Sequence, residues 1–354
     1  MEKLKIAVIG VGNISECHIS AYLANPNVEL YAFCDIDPVR LKEKGERYGI
    51  SRLYTSEEEM LRELPELDAV SVCVWNCNHA QCAIMALEAG KNVLCEKPMA
   101  TSAAEAEKML ETAKRSGKLL QIGFVCRFGR DCAVIEDLRD QDFFGELYYA
   151  KATYLRRHGN PGGWFCDKSR SAGGPLIDLG VHVIDLTRYL MGNPRPVSVY
   201  GVTFQKLQNR PGIKDSMEYG ASGASVEGIC DVEDLAAALV RYENGAVLEI
   251  ETSYDLNIRE DRYSQELFGT KGGVKMSPDL EFYTDINGYM TNVTLANAEQ
   301  YMDESHMFED EINHFADCIL NGTPCRAPAG DGVQIMRILD AIYESARTGH
   351  EVIL

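Results

Sequence analysis

The stretch Lys5-Ile-Ala-Val-Ile-Gly10-Val-Gly12-Asn13-Ile14-Ser15 decides the fold. A short apolar run ends at two closely spaced glycines, and a helical pattern follows. The run is too short for a helix and reads as a buried strand. The turn has the form G-x-G-x-x-G with Ser15 in the third place. Gly10 permits the tight turn. Gly12, with Asn13 and Ile14 beside it, lets main-chain N–H groups approach a pyrophosphate at the helix N-terminus. Ser15 is small enough to pack helix against strand. Asp35 closes the next apolar run, 20 residues beyond Ser15. A carboxylate there accepts hydrogen bonds from adenosine ribose hydroxyls and repels a 2′-phosphate, so NAD is expected rather than NADP. The competing reading is a glycine-rich turn followed by an unrelated aspartate.

Working outward, the first third of the chain alternates apolar runs with helical segments. Lys5–Gly10, Leu30–Asp35, Asp68–Trp75, Asn92–Glu96 and Leu119–Phe124 read as strands covered on both faces. Ser56-Glu-Glu-Glu59 and Ser102-Ala-Ala-Glu105 read as capping boxes, and Gly90 and Gly117 as helix stops. This alternation predicts right-handed βαβ units in a doubly wound parallel sheet. Beyond Phe124 the period changes. Glu146–Leu155, Val197–Gln205, Leu235–Glu243 and Ala246–Tyr254 predict longer, mostly antiparallel strands. Asn244-Gly245 suggests a type I′ hairpin turn. One helix is expected over 175–190, and two more over 308–320 and 330–347. Residues 206–228 are rich in Gly and Ser and predict a long loop.

The chain has 354 residues, enough for about two domains. Its net charge of −19 disfavours nucleic acid and anionic membranes as partners. No apolar run approaches the ~20 residues that span a bilayer. The first apolar run is also too short for a signal-peptide core, which makes the cytoplasm the expected location and keeps the 12 cysteines reduced. Cys73, Cys77 and Cys82 cluster, but with no zinc-ligand spacing, so no metal is expected. No Walker sequence and no G-x-S-x-G elbow is present.

Two clusters carry chemistry. Glu96-Lys97-Pro98 ends a strand at the edge where ligands bind in such sheets. The Lys97 ammonium there suits a developing alkoxide, although a surface lysine would look the same. Gly173-Gly-Pro-Leu-Ile-Asp178-Leu-Gly-Val-His182 opens a helix and puts Asp178 and His182 on one face. His182 is matched to take a proton near neutral pH, and Asp185 could orient it. A buried His satisfied by an Asp is the other reading. His18 reads as packing, and His79 as a cap or a cofactor contact. His158 in Arg156-Arg-His158 reads as a substrate or solvent contact. Trp164-Phe165 either closes over a nicotinamide or sugar, or belongs to the core.

Taken together, these residues resemble the Gfo/Idh/MocA family of glucose-fructose oxidoreductase and inositol dehydrogenase. The likeness runs through Gly10–Ser15, Cys34-Asp35-Ile-Asp37, Asn76–His79, Glu96–Pro98, Gly173–His182 and Phe308-Glu-Asp-Glu-Ile-Asn-His-Phe315. It implies a Rossmann domain over 1–124 and an α/β domain over 125–354 that binds substrate and forms a homo-oligomer, dimer or tetramer, through a large open sheet. It assigns catalysis to Lys97, Asp178 and His182, and cofactor contacts to Asn76, His79 and Glu96. Trp75 and Trp164 are placed with them, and Arg127 joins Lys97, Asp178 and His182 on the substrate. Val74-Trp75 stands where the family usually has Thr-Pro. The resemblance implies hydride transfer between a ring secondary alcohol of a sugar, cyclitol or glycoside and NAD. Two alternatives are a glycosidase working through transient oxidation and a regulatory protein that senses NAD without turnover.

Overall fold

The computed structural model describes residues 2–207, 210, 213, 229–302 and 305–354. Packing divides the chain into two compact units. The first comprises Met1–Val125 and Ser305–Met336, and the second Cys126–Glu304 and Arg337–Leu354. Residues 305–336, which lie within the expected 125–354 segment, therefore pack in the first unit.

Strands β1 (Leu4–Ile9), β2 (Val28–Cys34), β3 (Leu53–Tyr54), β4 (Ala69–Val72), β5 (Asn92–Glu96) and β6 (Leu120–Gly123) form one sheet in the order β3-β2-β1-β4-β5-β6. Every pairing in it is parallel. The connecting helices are α1 (Ser15–Ala24), α2 (Pro38–Tyr48), α3 (Glu57–Glu63), α4 (His79–Glu88) and α5 (Ala103–Ser116). This is the doubly wound arrangement expected. Two details differ. The two-residue β3 was too short to carry a pattern. β4 stops at Val72, because Cys73–Trp75 leave the sheet to start the next turn. The serine half of both capping boxes forms: Ser56 and Ser102 accept from the N–H groups of Glu59 and Glu105. The Glu105 carboxylate reaches back to Thr101 rather than to the cap itself.

The second unit holds a nine-stranded sheet. Its strands are β7 (Leu147–Leu155), β8 (Pro196–Phe204), β9 (Leu235–Tyr242), β10 (Val247–Ser253), β11 (Arg262–Gly269), β12 (Gly272–Lys275), β13 (Glu281–Ile286), β14 (Tyr289–Thr294) and β15 (Val352–Ile353). The order is β14-β13-β12-β11-β7-β10-β9-β8-β15, and only β7 with β10 is parallel. Helices α6 (Arg130–Asp140), α7 (Lys168–Ser171) and α8 (Val181–Leu190) belong to this unit. The expected type I′ turn at Asn244-Gly245 is corrected. Only Gly245 of that pair has positive φ, at 86°, and the Tyr242 N–H bonds the Ala246 carbonyl across a three-residue loop. Type I′ needs positive φ at both central residues. Asn287 (53°) and Gly288 (81°), between β13 and β14, meet that requirement. Most of the expected loop 206–228 lies outside the described residues.

Two C-terminal helices follow, α9 (Met307–Asn321) and α10 (Ala329–Thr348). α9 packs on α1, and its Ile312, Phe315 and Ala316 join the first unit's core with Ile6, Val8, Ile19 and Phe33. α10 belongs to the first unit through Met336 and to the second from Arg337.

The first unit turns on Gly10. Its φ is 85°, and a Cβ there would lie 2.5 Å from the Cys73 carbonyl oxygen. Gly10→Ala meets both the left-handed penalty and a main-chain collision, and should cost about 2 kcal/mol or more. Trp75 and Trp164 are the only tryptophans. Unfolding followed through Trp75 in a Trp164→Phe background measures the loss, and an unchanged midpoint would contradict the packing at this turn.

Candidate active site

In the first unit the glycine turn leads into α1, whose N-terminus carries no side-chain cap. The Ser15 hydroxyl bonds the Gly12 carbonyl at 2.7 Å instead. A Cβ at Gly12 would meet nothing within 4 Å, so this side of the turn is open. Asn13 is exposed, and Ile14 is half-buried against the core. An uncapped helix start behind open glycine backbone fits a pyrophosphate.

Asp35 is nearly buried at 6 % exposure. Its carboxylate accepts the Val11 N–H at 2.8 Å and the Asp37 N–H at 2.8 Å. It thereby ties the end of β2 to the glycine turn. The Arg40 guanidinium lies 3.3 Å away. The acid suits ribose hydroxyls, and the arginine beside it is the one group there that would welcome a 2′-phosphate. These residues fit NAD, which supplies the hydride acceptor when bound.

Around Lys97 the expectations divide. Lys97 is half-buried at the end of β5, before a cis peptide to Pro98. Glu96, expected on the cofactor, also has a place inside the unit. It is buried, with one oxygen 2.7 Å from His18 Nε2 and the other accepting the Lys97 N–H at 3.2 Å. Burial alone would lower the His18 pKa. The Cys73 sulfur and the Glu96 carboxylate outweigh it and raise the imidazole to about 10. Burial also keeps the Cys73 thiol protonated, so at neutral pH the charge responsible is that of Glu96. Glu96 is itself pushed up by burial, but His18 and Lys97 hold it below its ordinary value. The pair is therefore a buried ion pair that fixes the backbone carrying Lys97. His18, read as packing, is half of it.

His79, also expected on the cofactor, is 1 % exposed, with Nδ1 2.7 Å from the Pro98 carbonyl and Nε2 3.1 Å from that of Val74. Its ring thereby braces the loops that follow β4 and β5. Asn76 starts the single 3₁₀ turn Asn76–Asn78 and is buried, while Trp75 before it is half-buried.

In the second unit, Gly173 and Gly174 let the chain pass tightly under two neighbours. A Cβ at Gly174 would lie 2.3 Å from the Glu233 carbonyl, and one at Gly173 2.0 Å from the Tyr343 hydroxyl. The Glu233 carboxylate accepts from the N–H groups of Gly174 and Leu176 and from the Tyr343 hydroxyl. It thus caps the following helix from a distance. That helix begins as a π-helical stretch, Leu176–Gly180, and becomes α8. The widened turn still leaves Asp178 and His182 on one side. From Leu176 to Leu190 every residue is buried except Asp178, His182 and Tyr189. The reading of a fully buried His–Asp pair therefore does not apply.

Asp178 accepts the Tyr254 hydroxyl at 3.0 Å, and Tyr254 is fully buried at the end of β10. Nothing in the sequence singled Tyr254 out. His182 Nδ1 lies 3.8 Å from Cys126 Sγ. Asp185 turns elsewhere, with both oxygens on Arg127 at 2.9 and 2.6 Å. Arg127, expected on the substrate, is held within the unit. Its side chain is fully buried, bound to Asp185, with its guanidinium over the Tyr189 ring. His158 pairs with the buried Asp255 at 2.7 Å and is structural. Trp164 stacks on Phe165 with ring centroids 4.0 Å apart.

Comparison with known proteins identifies the family. The sequence model of the oxidoreductase family with an NAD-binding Rossmann fold matches residues 4–124, and that of its C-terminal α/β domain matches residues 139–354. The chain belongs to the Gfo/Idh/MocA oxidoreductase family. It is an NAD-dependent oxidoreductase. D-glucoside 3-dehydrogenase of Escherichia coli K12 is 36% identical over 99% of this chain and 97% of its own length. Levoglucosan dehydrogenase of Pseudarthrobacter phenanthrenivorans is 27% identical over 98% and 97%. A levoglucosan dehydrogenase solved with NADH and levoglucosan superposes with a TM-score of 0.83, at 25% identity and 99% coverage of both chains.

The pairing of Asp35 with Arg40 yields a test. Asp35→Ser removes the acid and keeps the arginine. The NADP:NAD preference in kcat/KM should rise about tenfold or more, the worth of one charge-assisted hydrogen bond. An unchanged ratio would remove Asp35 from cofactor selection.

Proposed function

We propose that this member of the family oxidises a secondary ring hydroxyl of a D-glucoside, with position 3 the favoured carbon. His182 is the base, Lys97 the oxyanion donor and Asp178 the positioning acid. The observation that carries the reading is that Asp178 and His182 are half-buried on one side of a stretch, Leu176–Leu190, in which every other residue but Tyr189 is buried. Substrate class and carbon follow the 36% identical D-glucoside 3-dehydrogenase, which this chain matches nearly end to end.

His182 accepts the hydroxyl proton as the carbinol C–H gives up its hydride. The Lys97 ammonium donates a hydrogen bond to the same oxygen and offsets its growing negative charge. Asp178, steadied by the Tyr254 hydroxyl, accepts from a neighbouring sugar hydroxyl or orients the imidazole. Trp164 and Trp75 line the nicotinamide side. Acid–base assistance of this kind contributes about 10²–10⁴ in rate.

We also infer a homo-oligomer working in the cytoplasm. All 12 cysteines are free thiols, as in a reducing compartment, and no helix among the described residues is long and apolar enough to cross a membrane. The nine-stranded sheet exposes Tyr200 and Leu239, cross-strand partners at about half exposure. That pair would be covered in a dimer or tetramer.

His182→Ala and Lys97→Ala should each lower kcat about 10²–10⁴-fold. NAD should still bind to His182→Ala, as followed by fluorescence titration. Near-normal turnover in both variants rejects the assigned roles. Substrate choice is read separately, by NADH formation on methyl D-glucosides, levoglucosan and myo-inositol, with the new ketone located by NMR. A clear preference for the cyclitol, or a ketone away from carbon 3, rejects the glucoside reading.

A further inference from the structure

The end of α9 carries a second cluster of chemically capable side chains. His314 and Cys318 are four residues apart and share a face of the helix. The helix stops at Gly322, whose φ is 71° and whose N–H bonds the Cys318 carbonyl. The chain then doubles back, held by Asp317, which accepts from the side chains of Asn321 and Thr323. Cys325 is thereby brought beside the pair. One ligand atom from each of His314, Cys318 and Cys325 lies within 4.8 Å of the other two. His314 Nε2 and Cys318 Sγ are 3.3 Å apart.

We propose that His314, Cys318 and Cys325 form a binding site for a thiophilic divalent cation, with Zn²⁺ as the probe. Tetrahedral zinc, with Zn–S about 2.3 Å and Zn–N about 2.0 Å, sets its ligand atoms roughly 3.5–3.8 Å apart, and here none of the three is more than 4.8 Å from another. The donor set is one imidazole and two thiols, the set zinc selects over magnesium or calcium. His314 Nε2 accepts the Arg326 N–H at 2.9 Å. An acceptor nitrogen carries no proton, so its lone pair is in the form that ligates a metal, and the metal takes the place of that N–H.

A second observation points to the same place. Gln121 on β6 is fully buried, with Oε1 3.6 Å from Cys325 Sγ and an Nε2 that has no hydrogen-bond partner among the described residues. Turning the amide over puts its N–H on the sulfur. That is the partner a metal-bound thiolate needs, and a protonated thiol does not. The site also lies where a clamp has a target. The Ile122 N–H bonds the Ala327 carbonyl, and Gln121 bridges Pro328, so the segment after Cys325 runs along β6 at the sheet edge. A metal would pin α9, this segment and β6 together.

Binding breaks two S–H bonds, forms two S–Zn bonds and one N–Zn bond, and releases two protons to solvent. Nothing is oxidised or reduced. Water fills the fourth position.

The test uses the full chain, freed of any affinity tag and kept in reductant, equilibrated with buffered Zn²⁺. Elemental analysis should find one zinc per chain, with two protons released on binding. The double variant Cys318→Ser/Cys325→Ser should bind at least tenfold more weakly. On the wild type, zinc should protect Cys318 and Cys325, among the 12 cysteines, from alkylation mapped by mass spectrometry. A wild type that takes up no zinc overturns the proposal. So does zinc uptake unchanged in the double variant, or alkylation of these two thiols at the same rate with and without the metal.

Discussion

The first unit depends on one close approach, the main chain of Gly10 against the carbonyl of Cys73. β1 and β4 are adjacent, and the sheet order reverses direction between them. Any side chain at Gly10 would push the two loops apart. Because none is there, the turn stays tight, α1 begins directly behind it, and the open backbone at Gly12 faces outward. Asp35 then locks the same turn from the other side through the Val11 N–H. The open glycine turn is thus a consequence of strand packing, braced by a carboxylate that serves the fold.

Buried charge plays a similar part elsewhere. Glu96 and His18 are sealed beneath Lys97, Arg127 and Asp185 beneath the α8 helix, and Glu233 beneath Gly174. In each case a buried ionised or strongly polar group braces the segment it lies under. Glu311 marks the contrast. It is fully buried, and neither carboxylate oxygen has a partner among the described residues. Burial, with the Glu96 charge adding to it, raises its pKa well above the ordinary value. Two nearby acids are driven apart by their partners: Glu96 stays charged through His18, and Glu311 stays neutral.

The sequence was most legible where one physical requirement admits few residues. Gly10, the caps at Ser56 and Ser102, and the Gly173-Gly174 pair each mark a place where sterics or an orphan N–H allow little choice. Alternating apolar runs located five of the six parallel strands for the same reason. It was least legible for polar residues near a strand end. Glu96, His79 and Arg127 have the chemistry of ligand contacts, and each also makes contacts inside its own unit that a one-dimensional pattern does not reveal. Asn-Gly pairs show a related limit. Both 244–245 and 287–288 have the letters of a type I′ turn, but loop length decides which adopts it. Tyr254 was invisible because a tyrosine ending a strand is ordinary until its hydroxyl is found on Asp178.

The metal question follows the same logic from the other direction. A search for clustered cysteines settles on 73, 77 and 82, where the spacing is wrong. Two of these flank a turn and the third sits on the next helix, so their closeness in sequence has no common face behind it. His314, Cys318 and Cys325 look sparser in the sequence, because six residues lie between the last two. A helix supplies the first pair at one turn's spacing, and a left-handed glycine stop returns the third to them. Convergence of ligands is set by where the backbone reverses, so a spacing rule that ignores the Gly322 stop misses the place where these three donors meet.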